Sequence, residues 1–96
     1  MDCRFAKAGE RIIKQGEISD SAYIIKSGTC MLVVEKSGKY HPVSHLGKGE
    51  IIGMVSLLTG EPQHVHFEAE TDMELWELNK ELFDDITREN PAWLDF

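Results

Sequence analysis

A chain of 96 residues is long enough for one hydrophobic core and too short for two. Its hydrophobic share of 42% and charged share of 28% fit a folded domain, not a disordered segment or a membrane span, and no basic-then-apolar leader opens it. A net charge of -7 sets long-range repulsion against phosphate backbones, which excludes a nucleic-acid surface as its main use.

The first half reads as short strands between turn residues. Arg11-Ile12-Ile13-Lys14 lies between Gly9 and Gly16, and Tyr23-Ile24-Ile25-Lys26 between Asp20-Ser21 and Gly28. The apolar run from Thr29 to Glu35 ends at Lys36-Ser37-Gly38-Lys39, a hairpin signal. Tyr40 to Leu46 returns as a weaker strand, and Pro42 within it suits an edge or a bulge. Gly47 and Gly49 mark the next turn, and Met54 to Leu58 predicts one helical turn.

From Gln63 to Glu70 the residues alternate. Val65, Phe67 and Ala69 fall on one expected face and His64, His66, Glu68 and Glu70 on the other, which predicts a half-buried strand with solvent-facing histidines. Glu74 to Leu78 is a further short strand with Leu75 and Leu78 in the core. Asn79 is the expected N-cap of a helix from Lys80 to Glu89 carrying Leu82, Phe83 and Ile86 on one stripe, and Asn90-Pro91 stops it. The apolar ending Ala92-Trp93-Leu94-Asp95-Phe96 predicts a further helix in a longer protein, with residues 79–96 as a helical lid or hinge. Many short strands followed by one helix predict a mainly β domain over residues 1–96, a small jelly roll of the cupin-like double-stranded β-helix kind.

Cys3 and Cys30 have no CxxC spacing and fit neither a zinc knuckle nor a disulfide framework. Cys30 sits in the apolar run Cys-Met-Leu-Val-Val as a small buried hydrophobe, and a reducing, cytoplasmic setting is the expectation. Ser56 has no evident base partner and neither cysteine neighbours a histidine in sequence, so no enzyme activity is expected.

The order and spacing of these turns resemble the cyclic-nucleotide-binding domain family of catabolite activators and kinase regulatory subunits. The opening FAKAGERIIKQGEISDSAYIIKSGTCMLVV carries Gly9, Gly16, Asp20, Tyr23, Ile25 and Gly28 at the family's intervals. Leu46, Gly49, Gly53, Leu57 and Pro62 continue the pattern through GEIIGMVSLLTGEPQHVHFEA, and ELWEL with KELFDDITRENP matches the closing strand and helix. The resemblance implies a regulatory domain that takes cyclic AMP, cyclic GMP or a related small molecule in a loop containing Gly53, Met54, Val55, Ser56, Gln63, His64 and Val65. It also implies that the helices after the barrel pass the signal to an effector domain in the same or a partner chain.

Two positions depart from the family. Met54 stands where a Glu accepts the ribose hydroxyl, and Gln63 stands where an Arg pairs with the phosphate. A charge-assisted hydrogen bond contributes roughly 1.5–3 kcal/mol against about 0.5–1.5 for a neutral one, so losing both groups weakens binding by about a hundredfold or more. No Lys or Arg lies between Lys48 and Lys80, while seven carboxylates do. Weak, altered or lost nucleotide binding is therefore the expectation, with a protonated His64 as a partial substitute for the missing charge.

Two other readings use the same residues. His64, His66 and Glu70 match the first half of a cupin metal motif, with His41 or His45 as the remaining ligand. Alternatively the barrel holds no small molecule and serves as a docking or dimerisation module, a homodimer forming through the C-terminal helix with Trp93, Leu94 and Phe96.

Overall fold

The computed structural model describes residues 2–89. Eight strands and two helices follow in chain order: β1 Cys3–Ala6, β2 Arg11–Ile13, β3 Ser21–Ser27, β4 Cys30–Lys36, β5 Lys39–Leu46, β6 Ile51–Ile52, α1 Met54–Thr59, β7 His66–Ala69, β8 Met73–Asn79 and α2 Lys80–Glu89. The strands form two four-stranded antiparallel sheets, ordered β1-β8-β3-β6 and β2-β7-β4-β5. This is the jelly-roll sandwich that the spacing of turns predicts, with helix α2 following the last strand. Strands β1 and β6 are the additions, each too short to give a periodic signal in sequence.

Packing follows from alternation along the longer strands. Ile25 of β3, Cys30 of β4 and Met73 and Leu75 of β8 turn inward with Ile13, Ile52, Phe67 and Ala69 to fill the space between the sheets. Burying a Leu or Ile side chain there is worth about 1.5–3 kcal/mol. A second cluster sits at one end, where Leu57 of α1 and Phe83 of α2 meet Ala22 and Leu78, with Met54, Leu82 and Ile86 packed around them. Helix α2 starts as expected: Asn79 Oδ1 accepts the Leu82 N–H at 2.8 Å. The expected stop at Asn90-Pro91 and the apolar ending lie outside the described residues.

Pro42 lies on the sheet-edge strand β5, beside a register shift at which Leu32 faces Ser44 and Val33 faces Pro42. Edge and bulge therefore coincide there, and the missing N–H of Pro42 costs no ladder bond.

The expected strand from Gln63 to Glu70 needs correction. Regular pairing begins only at His66, and His66 is buried at 1% exposure where alternation predicts a solvent face. The cause is a register shift between β2 and β7, where Arg11 faces Glu68 and Ile13 faces Phe67. Consecutive residues Ile12-Ile13 and His66-Phe67 are consequently buried in pairs. Burial of a histidine is tolerated because both ring nitrogens find partners.

Candidate functional site

The loop from Gly49 to Val65 is framed by glycines in the left-handed region. Gly49, Gly53 and Gly60 have φ of 89°, 81° and 74°. Gly53 is the demanding one, because a Cβ on it would lie 2.5 Å from Ile13 Cδ1 as well as requiring that φ. Gly53 and Gly60 cap α1 at its two ends, and the Gly60 N–H closes on the Ser56 carbonyl at 2.8 Å.

Gln63 is buried at 2% exposure, and its Nε2 donates to the Gly53 carbonyl at 3.0 Å. The side chain therefore spans the loop from its far end to the start of α1. Ser56 is also buried, and its hydroxyl reaches the carbonyls of Glu61 and Glu17. Met54 packs into the cluster shared by α1 and α2. Val55 and Val65 are half-buried, Val65 lying against the main core with Leu32 and Leu46. His64 is exposed. The seven candidate residues thus share one loop, but the polar side chains among them differ in availability. Gln63 and Ser56 hold the loop's own backbone, and His64 faces solvent.

The loop is tied to the turn after β2 by a run of consecutive bonds. The Gly16 N–H donates to the Gln63 carbonyl and the Gln63 N–H to the Glu17 carbonyl, each at 2.8 Å. The preceding residue, Gln15, donates its backbone N–H to His66 Nδ1 at 2.9 Å. Nε2 of His66 lies 2.9 Å from Glu35 Oε1. The side chain of Gln15 completes the set, donating to the Glu35 carbonyl at 2.9 Å and accepting the Glu35 N–H at 2.8 Å. The His66 contact, followed by Tyr40 and Arg11, holds the Glu35 carboxyl below the ordinary carboxylate range. Gln15 and Glu35 escape sequence reading, because partners 20 and 51 residues apart leave no local pattern.

The metal alternative does not assemble. His66 is taken by Gln15 and Glu35, while Glu70 pairs with His45 at 2.8 Å. Among the described residues no three His, Cys, Asp or Glu side chains cluster with metal-binding geometry.

A cleft of about 420 Å³ opens beside α1, between residues 56–60, Ile18, Ser19 and Asp20 of the β2–β3 connection, and Lys80. It shares α1 with the loop but does not include Gln63, His64 or Val65.

A two-sheet β-roll with a glycine-framed loop packed, through its short helix, against a helix that follows the last strand is the architecture of a class of regulatory domains. Residues 3–90 match the sequence profile of the cyclic nucleotide-binding domain, and the chain belongs to that family. It is 39% identical over 74 residues to the cAMP-dependent protein kinase regulatory subunit of Dictyostelium discoideum, covering 76% of this chain and 23% of that protein. It is 34% identical over 92 residues to the human (Homo sapiens) patatin-like phospholipase domain-containing protein 6, covering 95% of this chain and 7% of that protein. The catabolite activator protein of Thermus thermophilus superimposes with a TM-score of 0.85 at 28% identity, covering 94% of this chain and 43% of that one. The chain thus spans under a quarter of the length of the two sequence relatives.

Proposed function

We propose that the chain is the sensor domain of a longer regulatory protein and that its loop, Gly53 to Val65, holds cyclic nucleotide weakly or has turned to a related small molecule. The observation that carries this reading is the commitment of Gln63. Its amide is buried and bonded to Gly53, so the position that supplies a phosphate-pairing Arg in the family supplies an internal tie instead. Met54 likewise packs against apolar neighbours and offers no ribose acceptor. No Lys or Arg lies between Lys48 and Lys80, so the loop itself brings no cation to an entering anion.

Relay to an effector has a physical route. Met54 and Leu57 of the loop helix touch the same cluster as Leu82, Phe83 and Ile86 of α2. A ligand that moves α1 moves the packing surface of α2 with it. The domain itself is non-catalytic, and whatever chemistry it governs lies in the attached effector. Free Cys3 and Cys30 suit a reducing compartment such as the cytoplasm.

Isothermal calorimetry with cyclic AMP and cyclic GMP tests the reading. The native chain is expected to show no saturable binding at micromolar concentrations. The double variant Met54→Glu, Gln63→Arg is expected to gain affinity by about a hundredfold, the scale of the two restored contacts. Micromolar binding by the native chain overturns the proposal.

A further inference from the structure

We infer that His66 is a proton-sensitive positioning residue, tying the Gln15–Glu17 turn, and through it the ligand loop, in a place that acid releases. The inference rests on the loop reading above for its functional meaning but not for its geometry.

The tautomer follows from the partners. Gln15 offers a backbone N–H to Nδ1, so Nδ1 must be the bare, accepting nitrogen. The proton then sits on Nε2 and is donated to Glu35 Oε1. Adding a second proton turns Nδ1 into a donor facing a donor, and the Gln15 N–H loses its acceptor inside a buried site. Glu35 keeps its hydrogen bond from Nε2, which becomes charge-assisted. The bond that is lost is therefore the one to the turn.

What the turn holds makes this more than a local event. Gly16 and Glu17, the next two residues, are the backbone partners of Gln63. Displacing Gln15 consequently pulls on Gln63, which latches Gly53 at the start of α1. The charged and titratable groups around His66 are few. Glu35 comes from β4, and the Tyr40 ring of β5 lies tilted by 42° against His66, with ring centroids 5.7 Å apart. Arg11 of β2 lies over the Tyr40 ring and is itself neutralised by Glu68 of β7 at 2.9 Å. The turn carries Glu17, whose carboxylate accepts the Lys14 N–H, and Lys14 itself adjoins Gln15 in sequence.

Nuclear magnetic resonance on the 96-residue chain, without ligand, tests the inference. Long-range nitrogen–proton spectra at about pH 8 should show His66 as the Nε2–H tautomer. As pH is lowered stepwise, the appearance of doubly protonated His66 in the spectra should coincide with a loss of about tenfold or more in exchange protection at the Gln15, Gly16 and Gln63 amides. His66→Gln supplies a neutral acceptor and donor at the same place, so it should keep protection and abolish the acid step. An acid step that persists in His66→Gln overturns the inference, as does His66 protonation with unchanged amide protection. Should His66→Gln not fold, the native titration decides alone. Because no nucleotide is present, failure here leaves the ligand reading standing, and failure of nucleotide binding leaves this one standing.

Discussion

The Gln63 side chain donates to the carbonyl of Gly53, ten residues earlier in the same loop, at 3.0 Å with both residues buried. The bond closes the loop from inside. Gln63→Ala leaves the Gly53 carbonyl short of a partner and is expected to lower stability by about 1–3 kcal/mol. Gln63→Glu should cost more, since an ionised carboxylate cannot donate to the carbonyl and is buried without a cation. Chemical denaturation of the three proteins checks the order native, Ala, Glu. Equal midpoints for Glu and native would show that the tie is not made in solution.

Helix α2 hangs on Phe83. That ring is 1% exposed and fills the cluster under Leu57, Ala22 and Leu78. Phe83→Ala removes the filling and is expected to cost about 3–5 kcal/mol. If α2 and the loop helix share this cluster as a mechanical link, amide exchange should rise in α1 as well as in α2. Increased exchange confined to α2 would mean that the two helices are not coupled through it.

The order of strands, the glycine corners and the α2 cap were legible because each is written locally. Hairpin residues at Ser37-Gly38, the Asn79 cap and the Leu82, Phe83, Ile86 stripe all act over a few residues. His66 was misread for the complementary reason. Its inward turn depends on a register shift in a partner strand more than fifty residues away, and on Gln15 and Glu35 reaching it from two other elements. The candidate site divides in the same way. Gly53 and Gln63 could be located from spacing, but that Gln63 faces its own loop backbone follows only from the fold.

Glu35 gives the fold a pH dependence whose sign is fixed. Its carboxyl is held below the ordinary carboxylate range, chiefly by the His66 hydrogen bond. A group whose folded-state pKa is depressed adds stability above its unfolded value, about 4.3, and that stability is lost as pH falls through the lowered folded value. Glu35→Gln removes the ionisable group. The stability gap between native and Glu35→Gln should therefore be full near neutrality and shrink on acidification below about pH 4.3. Urea melts at stepped pH below about 4.3 measure it, and a gap that widens with acid in that range contradicts the assignment.

The two cysteines are expected to behave oppositely toward a thiol reagent. Cys3 is exposed on β1, whereas Cys30 is fully buried at the start of β4. Burial, with Glu70 nearby as a lesser cause, pushes the Cys30 thiol up to about 11. The attacking species is the thiolate, so at about pH 8 Cys30 is both shielded and almost wholly protonated. A disulfide-exchange assay on the native chain should titrate one thiol quickly and a second only as fast as the sandwich opens. In denaturant both should react at once. The slow phase should accelerate in Phe83→Ala only if loss of the end cluster loosens the β4 region as well. Two fast thiols in the native protein would mean that the strand pairing of Cys30 with Leu46 and Ala69 does not persist in solution.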